Sequence, residues 1–182
     1  MDNICLAFAE VVDAKSPFTF THSTGVARTA ISIAKVMGLH SRDTKLLERA
    51  ALLHDIGKLG VPNVILEKPG KLTPWEWHYI YKHPRYTKEI LDKIPGFEEI
   101  AEVAAAHHEK LDGSGYPRGL QGSQLPLLAR ILTVADIYDA LSSSRPYRLK
   151  LQCEEVLTLM RGDAPLTLDQ SCMDALATAM RQ

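Results

Sequence analysis

Apolar residues in this chain recur every three or four positions in segment after segment, and nowhere do they alternate as in a half-buried strand. Val26, Ala30, Ile33, Ala34 and Met37 make one stripe, and Leu46, Leu47, Ala50, Ala51 and Leu53 make the next. A chain patterned this way buries its apolar surface helix against helix, which predicts an all-α bundle. Pro17 ends a first helix over residues 3–14, whose apolar positions are read as Ile4, Phe8, Val11 and Val12, and Gly38 ends a second that opens at His22. A third helix runs from about Arg42 to deliver His54 and Asp55 at its end. In Thr73-Pro74-Trp75-Glu76 a cap, a proline at the first helical position and a glutamate placed for a capping box mark another start. That helix is expected to run past His83 with a disturbance at Pro84. Phe97, Ile100, Val103, Ala104 and His107 share a further stripe, and Asp112-Gly113-Ser114-Gly115-Tyr116-Pro117 is a loop. An apolar helix around Asp136 follows Pro126, and two more cover residues 152–161 and the segment from about Asp169. Seven or more helices in a single domain, residues 1–182, are expected.

At 182 residues the chain is long enough to bury one core without staples. A formal net charge of -1 argues against broad capture of a nucleic-acid polymer, so an anionic ligand has to be held by a local cluster of positive groups. Cys5, Cys153 and Cys172 are odd in number and widely spaced, which fits reduced thiols in the cytoplasm and neither a disulfide framework nor a thiolate metal site. No apolar run reaches the length of a membrane span and the N-terminus lacks a signal-peptide pattern, so a cytoplasmic location is expected. Trp75 and Trp77 are candidates for a partner surface.

The chemistry gathers around Leu52-Leu53-His54-Asp55-Ile56-Gly57-Lys58. Neighbouring residues on a helix point about 100° apart, so His54 and Asp55 share no face, yet both can reach an ion lodged at the helix end. Further donors stand at His22, His83, the pair His107-His108, and Asp136 inside the apolar run from Ile131 to Leu141. A buried carboxylate without a partner is costly, and metal coordination relieves that cost. Taken singly, each has an ordinary reading: a helix cap for His22, core packing for His83, surface charge for Lys58, Arg145 and Arg148. Asp139 reads as a hydrogen-bonded group behind a ligand, and Glu109 as the same or a solvated helix end. His40 and His78 read as surface or packing residues. The donors taken jointly point to a metal site. Imidazole and carboxylate without thiolate suit iron, manganese, nickel or zinc, and not a structural zinc.

His22, His54-Asp55 with Lys58, His83, His107-His108-Glu109, the loop through Tyr116, and Asp136 with Arg145-Pro146-Tyr147-Arg148 together resemble the HD-GYP family, a subgroup of the HD metal-dependent phosphohydrolases. The resemblance runs through nearly the whole chain in order. It implies an HD-type helical bundle that hydrolyses cyclic di-GMP to linear pGpG, GMP or both, by a hydroxide shared between two divalent metal ions, iron or manganese first and nickel or zinc next. His22, His54, Asp55 and Asp136 would hold one ion, and Asp55 would bridge to a second held by His83, His107 and His108. Asp55 and Lys58 carry the catalytic roles, and Lys58, Tyr116, Arg145 and Arg148 would contact substrate. The loop is linked in the family to a regulatory or GGDEF-type protein partner. Two departures stand out: Phe18 occupies the place of a glutamate that helps some members hold a third metal, and Thr87 stands where many relatives have glycine and is expected at the pocket wall. Phe18 is the reason for expecting two ions. The alternatives are a phosphodiesterase for mixed cyclic GMP-AMP, another HD nucleotide phosphohydrolase, and a non-catalytic module that binds a cyclic dinucleotide or a partner.

Overall fold

Helix after helix forms where the periodic stripes lie. The structure, a computed structural model, describes residues 2–15, 21–143, 151–163 and 166–181. Its α-helices are α1 (Asp2–Ala14), α2 (His22–Val36), α3 (Ser41–Leu53), α4 (Asn63–Leu66), α5 (Pro74–Ile80), α6 (His83–Leu91), α7 (Glu98–Ala105), α8 (Leu127–Ser142), α9 (Cys153–Asp163) and α10 (Gln170–Ala179). There is no strand among the described residues, only one isolated bridge between Asp112 and Gln121. No helix among them is long and apolar enough to cross a membrane.

The centre of the bundle is α2. Its stripe Val26, Ala30, Ile33 and Ala34 is fully buried against Leu47, Ala50 and Ala51 of α3 and Ile131, Leu132 and Ala135 of α8. Alanines at these positions let the helix axes approach closely, which brings the start of α2, the end of α3 and the middle of α8 to one place. Gly38 takes a positive φ of 70° just beyond α2, and Leu39 N–H reaches back to the Ala34 carbonyl, the turn that glycine permits at a helix end.

Two expectations need correction. In α1 the inward face is Cys5, Ala9 and Val12, while Ile4, Phe8 and Val11 are exposed. Both sets have helical spacing; α1 packs on α2 and α3, and its small residues turn inward. The helix begun at Thr73 does not run past His83. The capping box forms as read, with Thr73 Oγ1 accepting from Glu76 N–H and the Glu76 carboxylate accepting from Thr73 N–H. The chain then breaks at Tyr81 and Lys82, and Pro84 sits in the first turn of the separate helix α6, where its missing N–H costs nothing.

Candidate metal centre

His54, His83 and His107 each lie at or just past the C-terminal end of a helix, where carbonyls lack helical partners. In all three the ring folds back on the carbonyl three residues earlier: His54 Nδ1 to Ala51 at 2.7 Å, His83 Nδ1 to Ile80 at 2.6 Å, His107 Nδ1 to Ala104 at 2.6 Å. A carbonyl only accepts, so Nδ1 carries the proton and Nε2 presents a lone pair. The fourth ring, His22 at the start of α2, donates from Nδ1 to Asp139 Oδ2 at 2.7 Å. Its Nε2 lies 3.2 Å from Asp136 Oδ1, one turn earlier on α8. Asp139 can come this close because Gly25 of α2 has no side chain: a Cβ there would stand 2.1 Å from Asp139 Oδ1.

Asp55 lies at the middle, buried, its two oxygens facing different ways. Oδ2 is 3.4 Å from His54 Nε2 and 3.9 Å from His22 Nε2, while Oδ1 is 3.3 Å from His83 Nε2 and 3.8 Å from His107 Nε2. Three groups of donors have ligand atoms within 4.8 Å of one another: His22 with His54 and Asp136; His83 with His107 and His108; and, joining them, His54 with Asp55 and His107. The structure thus brings together every donor expected from the sequence. The Lys58 ammonium lies against Asp55 Oδ2.

A cation fits this donor set. His54 Nε2 and Asp55 Oδ1 are buried without a hydrogen-bond partner. His83 Nε2 and His107 Nε2 face each other at 3.2 Å, two lone pairs that a shared positive charge would reconcile. The carboxylates draw positive charge to this site, and where no metal ion supplies it His22 takes a proton instead. Burial alone would lower His22, but hydrogen bonds to Asp136 and Asp139 raise it to about 10. Burial opposes ionisation of Asp55, yet Lys58 and His54 hold it well below the usual carboxylate range, and Asp136 is held down by His22 and His54 in the same way. Burial and neighbouring imidazoles keep His107 and His108 neutral, His108 down to about 3, so both lone pairs are available. Clusters of buried histidine and aspartate of this kind bind divalent metal ions.

Beyond the donors lies a cleft of about 630 Å³, lined among others by His107, His108, Tyr81, Lys82 and Tyr116. Tyr116 lies 4.7 Å, ring to ring, from His108. Its loop is held from below by a residue that the sequence left undecided. Glu109 is 1% exposed, and its two oxygens accept from the N–H groups of Arg118 at 2.7 Å and Leu120 at 2.9 Å. Gly115 is wedged against the backbone of His108 to Lys110, where a Cβ would come within 2.5 Å of the His108 carbonyl, and Tyr116 N–H donates to that same oxygen. Glu109 is therefore a loop anchor and not a solvated helix end. The signal available was a carboxylate next to two histidines, ahead of a loop whose N–H groups have no helix or strand to pair them.

Thr87 also lies elsewhere than expected. It is fully buried and absent from the cleft lining; its hydroxyl donates to the His54 carbonyl at 2.8 Å and accepts from Gly57 N–H at 3.0 Å. It ties α6, which carries His83, to the turn that carries His54 and Asp55. Arg145, Arg148 and Phe18 lie outside the described residues.

A helical bundle that converges four histidine-bearing helix ends on a central aspartate is the architecture of an HD domain. The comparisons agree, and the chain belongs to the HD domain family, whose model matches residues 7–172, and within it to the HD-GYP type. It is 48% identical over 180 residues to a 3'3'-cGAMP-specific phosphodiesterase 3 of Vibrio cholerae, covering 99% of this chain and 39% of that protein. It is 41% identical over 152 residues to the cyclic di-GMP phosphodiesterase response regulator RpfG of Xanthomonas campestris, covering 82% of this chain and 40% of that protein. A crystal structure of a cyclic GMP-AMP specific phosphodiesterase of V. cholerae aligns at a TM-score of 0.62 and 43% identity, over 98% of this chain and 40% of that one. The chain thus spans about two fifths of the length of the curated relatives it matches.

Proposed function

We propose that this domain is a metal-dependent phosphodiesterase that opens a cyclic dinucleotide, cyclic di-GMP in the first place, to linear pGpG, GMP or both. The observation that carries the reading is Asp55, whose two oxygens each face a separate set of imidazoles. In this reading His22, His54, Asp55 and Asp136 would hold one divalent ion, and Asp55 with His83, His107 and His108 would hold a second. Iron and manganese suit the donors best, with nickel and zinc next. Bound ions supply Lewis acidity to a phosphoryl oxygen and bring the pKa of a water to about 7.

The protein's own part is positioning. The Nδ1–H bonds to carbonyls and to Asp139 fix the rings so that each Nε2 points inward. The Lys58 ammonium beside Asp55 brings positive charge to where a phosphate would meet the site. Tyr116, packed on His108, shapes the wall against which a nucleotide would lie. Arg145 and Arg148 remain substrate contacts by resemblance, and the loop through Gly115 and Pro117 remains the surface for a regulatory partner.

A second reading, preference for 3'3'-cGAMP, is favoured by the 48% identity to a relative named for that substrate. Hydrolysis of cyclic di-GMP and 3'3'-cGAMP by protein loaded anaerobically with iron(II) or with manganese, followed chromatographically, tests both. Turnover that vanishes in Asp55→Ala is expected. Turnover of mononucleotides alone would overturn the proposal, and a faster rate on 3'3'-cGAMP would select the second reading.

A further inference from the structure

A cyclic dinucleotide has two phosphates and two purines, and only one phosphodiester can occupy the metal centre at a time. The other half needs its own place. From His108 a row of aromatic rings leads away from the donors: His108 to Tyr116 at 4.7 Å between centroids, Tyr116 to Tyr81 at 4.6 Å, and Tyr81 to Trp77, stacked at 5.5 Å with 25° between planes. Tyr81 and Tyr116 line the 630 Å³ cleft, and Trp77 backs the row without being part of the lining. Tyr81 is 47% exposed although it touches two other rings, so part of its surface is open to a ligand.

The same wall is cationic. Lys82, Arg85 and Lys110 line the cleft, and its one carboxylate, Glu109, has both oxygens taken by backbone N–H groups. Arg85 is paired with Glu89, whereas Lys82 lies only over the Tyr79 ring, and neither Lys82 nor Lys110 has an ion pair among the described residues. The break between α5 and α6 is what puts Tyr81 and Lys82 here, on the turn just before His83. An aromatic surface beside two unpaired ammonium groups recognises a purine nucleotide: the ring takes the base and the ammonium takes the phosphate.

We infer that Tyr81, Lys82 and Lys110, beside Tyr116, form the subsite for the nucleotide that is not being cleaved, with its base against Tyr81 and its phosphate at the two lysines. This deepens the cyclic dinucleotide reading and rests on it. The Tyr81 and Lys82 side chains belong to neither metal donor set, so their truncation is expected to leave the metal centre intact.

The test uses metal-loaded protein with Tyr81→Ala, Tyr81→Phe and Lys82→Ala. KM is measured for cyclic di-GMP and 3'3'-cGAMP, and kcat/KM for bis(p-nitrophenyl) phosphate, which has one phosphodiester and no second nucleotide. Affinity for a hydrolysis-resistant bis-phosphorothioate analogue of cyclic di-GMP is read from tryptophan fluorescence, for which Trp77 beside Tyr81 is the reporter. Loss of one base stack is expected to weaken the analogue about tenfold or more in Tyr81→Ala and to raise KM alike, with Tyr81→Phe near wild type. Metal content and the rate on bis(p-nitrophenyl) phosphate are expected to stay unchanged in every variant. Equal affinity in Tyr81→Ala and wild type overturns the subsite, as does an equal loss on both substrate classes. A wild type that binds the analogue without hydrolysing any cyclic dinucleotide overturns the catalytic reading and leaves the subsite standing. A wild type that does not bind it overturns both.

Discussion

At Gly57 the turn carrying Asp55 runs hard against the helix carrying His83, and replacing it with alanine probes how the centre is held. A Cβ at this position would stand 1.9 Å from the His83 carbonyl oxygen, 2.5 Å from the Thr87 amide nitrogen and 2.8 Å from the Thr87 hydroxyl. Two of these three atoms are backbone, so no side chain can swing away to relieve them. Restoring an ordinary 3.4 Å contact to the carbonyl parts the two segments by about 1.5 Å. Overpacking of this kind costs about 1–3 kcal/mol, and losing the bond from Gly57 N–H to Thr87 adds about 1 kcal/mol. In a chain of this length the sum lowers the melting temperature of metal-free Gly57→Ala protein by about 5–12 °C. Separation also draws His83 Nε2 away from Asp55 Oδ1, now 3.3 Å apart, while His22, His54 and Asp136 stay where they are. Competitive manganese titration is therefore expected to show one ion weakened by about 10–100-fold and the other little changed. A variant that melts within about 2 °C of wild type and binds metal equally well would refute this account of the close approach.

Thr87→Val removes the hydroxyl that joins Gly57 N–H to the His54 carbonyl and leaves two buried groups unpaired. A loss of about 2–4 kcal/mol is expected in urea unfolding, with most of it restored by Thr87→Ser, and an unchanged midpoint would contradict it. Asp139→Ala frees the His22 ring, and an apparent metal affinity lower by about 10–100-fold is expected in chelator competition, with helix content preserved in far-UV circular dichroism. Asp169 caps α10 by accepting from Cys172 N–H and pairs with Arg130 at 3.0 Å. Burial would raise its carboxyl, but Ser171, Cys172 N–H and Arg130 hold it down to about 2 from an ordinary 3.8. A depressed carboxyl stabilises the fold fully above the unfolded value and loses that contribution as pH falls toward the folded one. Asp169→Ala is thus expected to cost about 1 kcal/mol near neutrality, and the difference between the two proteins in thermal melts should close between about pH 4 and pH 2.

The donor set was legible because its chemistry is written in residue types. Few ordinary structures need imidazoles at His54, His83, His107 and His108 with carboxylates at Asp55 and Asp136, and the bundle brings them together as the motif implies. Helix stripes with one strong apolar face, such as that of α2, were equally plain. Where the pattern offered two faces it misled: in α1 the larger side chains Ile4 and Phe8 suggested the core, and small Cys5 and Ala9 occupy it. Propensity alone also left the stretch from Thr73 through Pro84 as one helix, because the break at Tyr81 and Lys82 has no glycine to announce it. The second layer was out of reach for a different reason. That Thr87 ties two segments, that Glu109 hangs a loop and that Gly25 makes room for Asp139 are facts about pairs of residues distant in sequence, and a single residue type does not encode its partner.

The claim at the centre of this account is that Asp55 joins two metal half-sites into one phosphodiester-cleaving centre. Metal content and cyclic dinucleotide turnover, determined on the same anaerobically loaded samples of wild type and Asp55→Ala, test it most directly. Two ions per chain with turnover are expected in the wild type, and the loss of both turnover and at least one ion in the variant. An Asp55→Ala protein that keeps two ions and hydrolyses cyclic di-GMP or 3'3'-cGAMP at the wild-type rate would contradict it.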